Sequence, residues 1–382
     1  MQDKFLSKMK VLVLSTHLPM PDMSSGCYRF LNILKLLSNH CNCSLMVYDR
    51  DGQVLNVGIE RYASYRSQIE ALSIEVVDND RKYISRCKFD MVFSEYYNPL
   101  RRFWDQILRY QKNAVIVVDS VDLHFRRIYG EAKVKKSIYF LKKSVSMFIR
   151  EMNTYRKADV VIDISEEEQQ LLQKLFPRKN ILIIPNIHED GGLPSDNIKR
   201  SIPSTKPHLL FVGNFGHSPN VDAMIYFNQD ILPLLRNHFH DILVTIIGAS
   251  PPEAIKRFNS STVRVLGHVP DIDPFLYSCH ISIAPLRYGA GMKGKIGQAM
   301  ACGLPVVTTS VGAQGFGLIP GEHVVVGDTP QEFSQGIIKL IEDHDYYRFV
   351  RENASRFIDE HYSLAAADRQ ITNLLRVCDG IA

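Results

Sequence analysis

Along the first half of the chain, unbroken apolar runs of strand length alternate with stretches whose apolar positions recur at helical spacing. "KVLVLST" (10–16) leads through the loop "HLPMPDMSSG" into "CYRFLNILKLLSN", which predicts a strand, a loop and a helix. The runs "CSLMVYD", "FDMVFSE", "AVIVVDS" and "DVVIDIS" repeat the strand pattern, and "NILIIPN" closes the series at Asn186. A stretch rich in Gly, Pro and Ser, "HEDGGLPSDNIKRSIPSTKP", then breaks the periodicity and predicts a linker over 191–206. A second series follows: "HLLFVGN", a helix from about Asn220, "ILVTIIGA", "VRVLGHV", a short helix through "IDPFLYSC", "ISIAPL", a glycine loop, the helix "GKIGQAMACG", "PVVTTS" and "EHVVVGD". The remainder, from "PQEFSQGIIKL" onward, is amphipathic and helical.

Strands that alternate with helices predict parallel sheets covered on both faces. The expected class is therefore α/β, with two doubly wound Rossmann-like domains over 1–190 and 207–361. In such sheets ligands sit beyond the carboxyl ends of the strands, which makes a cleft between the domains the default site. A length of 382 residues suits two domains with separate cores, and 45% apolar with 23% charged residues is ordinary for a globular chain. Seven cysteines show neither metal spacing nor a paired framework, so they read as reduced thiols of an intracellular protein. The apolar run near the N-terminus is too short for a membrane span, and a cytoplasmic location is expected.

The densest candidate chemistry lies in "RYGAGMKGKIGQ", 287–298, which holds no carboxylate. Gly289, Gly291 and Gly294 permit close approach of the backbone, and a helix beginning at Gly294 would aim its free amides and positive dipole end into the loop. Lys293 and Lys295 add charge, and Arg287 offers a planar fork, so the loop reads as a diphosphate receptor. The same glycines would also serve a plain tight connection between helix and sheet. The spacing matches neither a P-loop nor a dinucleotide fingerprint.

In order and spacing, "LLFVGNFGHSPNVDA", "IIGASPP", "VRVLGHVPDIDPFLYSC", "ISIAPLRYGAGMKGKIGQAMACGLPVVTT" and "SVGAQGF" resemble the donor half of the retaining family-4 glycosyltransferases, of group 1 and GT-B fold. "LSTHLPMPDMSSGCYRFLNIL" and "VVDSVDLHFRR" are similar to the acceptor half of that family. The resemblance implies that 207–361 holds a nucleotide sugar, that 1–190 holds a glycan or lipid-linked glycan acceptor, and that 362–382 crosses back to the first domain. It implies donor contacts from Gly213, Asn214, His217, Arg287, Gly289, Ala290, Gly291, Met292, Lys293, Gly294, Lys295 and Gln298, and a nucleobase region at His268, Val269 and Pro270. Gly26 and Arg29 fall on the acceptor side, and His124, Asp122 and Lys295 are the expected catalytic residues. No metal or other cofactor is expected, because lysines and amides would neutralise the departing diphosphate.

The sequence departs from the family pattern at Ala290 and Gln298, where relatives usually carry glutamates. A glutamine oxygen still accepts a hydrogen bond from a ribose. A non-catalytic nucleotide-sugar scaffold and a sugar-nucleotide epimerase on the same fold therefore stand as alternatives. Residues 126–157 hold ten Lys and Arg against two Glu, interleaved with large apolar side chains. That is either a solvated helix face or a basic amphipathic surface for anionic lipid at the inner face of the plasma membrane. No nucleic-acid motif accompanies the charge.

Overall fold

The computed structural model describes residues 9–188, 206–289 and 291–381. The expected linker over 191–206 lies outside the described residues except for Lys206. The chain divides into two units: Met1–Ile187 with Leu364–Ala382, and His188–Ser363.

The first unit is built on seven strands: β1 (Lys10–Ser15), β2 (Asn42–Val47), β3 (Glu75–Asp78), β4 (Met91–Glu95), β5 (Val115–Asp119), β6 (Val160–Asp163) and β7 (Asn180–Ile183). They pair in the order β3-β2-β1-β4-β5-β6-β7, and every pairing is parallel. The interior strands β4, β5 and β6 are buried along their whole length, which is why they appear as continuous apolar runs. β3 was not expected from the sequence. It is a four-residue edge strand with an acidic residue at each end, too short and too polar to give an apolar run.

The last helix, Leu364–Asp379, completes this unit. Its Ala367, Ile371, Leu374, Leu375 and Cys378 join Ile33, Leu37 and Leu45 in one buried cluster. The apolar stripe of a C-terminal helix thus supplies part of an N-terminal core.

The second unit carries β8 (His208–Val212), β9 (Leu243–Ile247), β10 (Val263–Gly267), β11 (Ile281–Ala284), β12 (Val306–Thr308) and β13 (Val325–Val326). Their order is β10-β9-β8-β11-β12-β13, again all parallel. Each sheet reverses its winding once, between β1 and β4 in the first unit and between β8 and β11 in the second. Loops leaving the carboxyl ends at such a point diverge to opposite faces and leave a crevice.

Candidate functional site

In the second unit the two loops at the reversal are locked to each other. Gly213 leaves β8 with its amide donating to the Ile247 carbonyl at 2.9 Å. Gly248 approaches so closely that a Cβ there would lie 1.8 Å from the Gly213 oxygen. The turn is closed by two asparagines: Asn214 Oδ1 accepts from the Gly216 amide at 2.8 Å, and Asn220 Nδ2 donates to the Asn214 carbonyl at 2.7 Å. His217 is exposed just before the helix Ser218–Tyr226.

Beyond β11, Gly289 (φ 146°) and Gly291 (φ 70°) adopt backbone angles that favour glycine, and the chain then enters the helix Gly294–Ala301. No side chain caps that helix, and its first turn holds no acid. Lys293 Nζ donates to the Gly291 carbonyl at 2.5 Å, and the buried Met292 packs under the loop beside Gly315. Lys295 crosses to the other loop: its Nζ donates to Asn220 Oδ1 at 2.7 Å and lies 4.3 Å from the centre of the Phe211 ring. Burial first, and then the Lys293 charge, push its pKa down to about 7. Its ion partner is missing among the described residues, and a neutral asparagine oxygen takes that place.

Arg287, expected as a donor contact, is paired with an acid beside the loop. Its fork is committed to Asp222, with Nε to Oδ2 at 2.9 Å and Nη2 to Oδ1 at 2.5 Å, and its guanidinium covers the Tyr226 ring. It pins the Ser218–Tyr226 helix to the glycine loop. Gln298 is turned toward Cys302, with Nε2 to Sγ at 3.8 Å, and bonds the buried ring of His188. His188 lies against Gly297, where a Cβ would meet the ring at 2.3 Å. Burial pushes the pKa of this histidine down to about 4, so it is neutral at physiological pH. His268, Val269 and Pro270 follow the edge strand β10 on the same pole of the sheet, with His268 and Pro270 exposed. Ala290 lies outside the described residues. Among the described residues no group of three His, Cys, Asp or Glu side chains could hold a metal ion.

In the first unit the corresponding pole gathers Gly26, Tyr96, Val121, Asp122 and His124. Gly26 sits in the first turn of the helix Ser25–His40, and a Cβ there would touch Val121 and the Tyr96 hydroxyl at about 4 Å. Tyr96 (φ 65°) and Val121 (φ 59°) both hold left-handed backbone, a strained state for side chains of their size. The His124 ring stacks on Tyr96 at 5.3 Å, and its Nε2 lies 2.9 Å from Asp122 Oδ1. The expected pair of Asp122 and His124 is therefore brought together. Glu95, at the end of β4, accepts from Ser15 Oγ at 2.5 Å, and burial pushes its carboxyl up to about 8.

Arg29 does not reach this surface, which corrects its assignment to the acceptor side. Its side chain is 0% exposed and bonds both oxygens of Asp119, at 2.6 and 3.1 Å, together with the Ile184 and Pro185 carbonyls. Asp119 Oδ1 also accepts from the Val121 amide at 3.2 Å, so the pair supports the strained turn from below.

Residues 206–343 match the protein family described as Glycosyl transferases group 1, and this span contains both loops at the reversal in the second unit. The chain carries a group 1 glycosyltransferase domain. A Klebsiella pneumoniae protein described as an uncharacterized 44.6 kDa protein in cps region is 23% identical over 92% of this chain and 96% of its own length. Sucrose-phosphate synthase from Thermosynechococcus elongatus shares the fold with a TM-score of 0.71 at 15% identity, covering 98% of this chain and all of that one. The Anabaena protein HepE, crystallised in complex with UDP-glucose, gives a TM-score of 0.66 at 15% identity over 97% of this chain and all of its own. The glycosyltransferase thus has the two-sheet GT-B architecture. Several of its site residues escape sequence reasoning. Asn220 lies within the stretch "LLFVGNFGHSPNVDA" without a role assigned from the sequence, and Glu151 and Tyr96 are singled out by the buried charge at Glu151 and the positive φ at Tyr96.

Proposed function

We propose that this glycosyltransferase moves a sugar from a nucleotide-sugar donor to a glycan or lipid-linked glycan acceptor, with retention of configuration, in the synthesis of a cell-surface polysaccharide. The second unit binds the donor: its diphosphate rests on the amides at the start of the helix Gly294–Ala301 and on Lys293 and Lys295. As the bond from the anomeric carbon to the donor phosphate breaks, these groups take up the charge growing on the departing oxygen. The acceptor hydroxyl bonds to the anomeric carbon from the same face, and its proton passes to the departing phosphate. Asp122 and His124 in the first unit act on the sugar and acceptor side. The reaction needs no metal in this scheme, because fixed amides and ammonium groups do the neutralising.

The observation that carries the reading is the state of Lys295: a part-buried lysine with a neutral partner, at an uncapped helix N-terminus, in a loop without a carboxylate from Arg287 to Gln298. Such a group is matched when an anion arrives. The complex of HepE with UDP-glucose and the cps-region relative favour a nucleotide sugar and a polysaccharide product. The basic surface over 126–157 would rest on anionic lipid beside a lipid-linked acceptor, on the cytoplasmic face of the plasma membrane. Lys295→Ala is expected to abolish binding of UDP, GDP, ADP and dTDP in titration calorimetry while the melting temperature stays near that of the parent. Affinity retained by the variant would mean that the diphosphate binds elsewhere.

A further inference from the structure

The helix His124–Lys135 begins without a side-chain cap, since Leu123 stands at the N-cap position. The missing acceptors come from another helix. Glu151, in the middle of Ile138–Lys157, is 0% exposed and accepts from the His124 amide at 3.0 Å with Oε1 and from the Phe125 amide at 3.1 Å with Oε2. The same Oε1 lies 3.6 Å from His124 Nδ1, while Asp122 takes the opposite edge of the ring. One carboxylate therefore fixes the backbone of His124 and faces its ring.

We propose that Glu151 is a positioning residue of the transfer reaction, which sets the place and orientation of His124 through the first two amides of its helix and the Nδ1 edge of its ring. This rests on the reading that His124 serves the sugar and acceptor side. Burial, opposed by His124 and by the two amides, pushes the Glu151 carboxyl up to about 7. The groups around it are Asp122, Arg127, Tyr97 and Tyr155; Arg127 Nη1 lies 3.3 Å from Asp122 Oδ2, and Tyr155 is fully buried. A proton on Glu151 turns one oxygen from acceptor to donor, so one of the two amide bonds is lost. His124 is then held less firmly at low pH than at high pH.

The test uses the full chain and Glu151→Gln, which keeps the shape and one acceptor, with the melting temperature measured to show that the variant folds. Nitrogen-15 imidazole spectra, assigned through His124→Ala, are followed with pH alongside the release of nucleoside diphosphate from UDP-, GDP-, ADP- and dTDP-linked sugars. In the parent, the turnover number should show an inflection near pH 7, and Glu151→Gln should remove it and displace the His124 signal at about pH 8, while the donor KM changes less than about twofold. An unchanged inflection in a folded Glu151→Gln overturns the positioning role. Full turnover in His124→Ala sinks the prior reading of this pole, and the proposal with it, by a separate result.

Discussion

At Lys295, a pKa near 7 means that the side chain is largely neutral in mildly alkaline solution until an anion joins it. A bound diphosphate favours the ammonium, so binding draws in a proton at any pH between the free value of about 7 and the higher value in the complex. The sign follows: nucleoside-diphosphate affinity should weaken as pH rises through this window. Calorimetry at about pH 8 in buffers of different ionisation enthalpy should record an uptake approaching one proton. Lys295→Arg keeps the charge at every pH, and where it still binds it should show no uptake. Proton release, or none in the parent, would place the titrating group elsewhere. Arg29 and Arg287 carry the opposite lesson at this scale. Both stand beside candidate loops in sequence, yet each is spent on an aspartate, and the sequence alone does not say which arginine has an acid waiting for it.

Among the elements, the helix Ile138–Lys157 shows two unlike faces. Met152 and Tyr155 are buried in a cluster with Val92, Val118 and Val161 of the sheet, and Glu151 is buried against the start of the helix His124–Lys135. On the outer side Ile138, Leu141, Val145 and Ile149 form an exposed ridge, with Lys142, Lys143 and Arg150 along its flanks. Apolar side chains that face outward between cations suit the proposed contact with an anionic bilayer, in which the ridge would insert and the cations would meet the headgroups. Val145→Glu with Ile149→Glu should remove sedimentation with vesicles rich in phosphatidylglycerol, at unchanged melting temperature. Salt should weaken the parent's binding without abolishing it, because the ridge contributes an uncharged part. Vesicle binding that survives the double variant would leave this face as a solvated surface. Among the described residues no helix is long and apolar enough to cross a membrane.

For the molecule as a whole, the C-terminal helix is the clearest case of a segment belonging to a distant unit. Removing 364–382 would take Ile371, Leu374 and Leu375 out of the core of the first unit and uncover Ile33 and Leu37, all of which are fully buried in the intact chain. Each large apolar burial lost in this way, whether the side chain is removed or uncovered, costs about 2 kcal/mol, which together is comparable with the net stability of a whole unit. The truncated chain should lose cooperative melting of the first unit while the second still melts as a unit in calorimetry. A truncated chain with two parental transitions would show that the helix adds little to that core.

Much of the frame was legible in the chain itself. The continuous apolar runs mark the buried strands, and their alternation with helical spacing marks two parallel sheets. These follow from local physics, because a strand buried on both faces must be apolar throughout. The folded chain alone decided which polar groups meet. Lys295 finds Asn220 across 75 positions, Arg287 finds Asp222 across 65, Arg29 finds Asp119 across 90, and Glu151 reaches back 27 residues to hold His124. Such pairs depend on the order of strands and the length of helices, and no periodicity in the sequence records them.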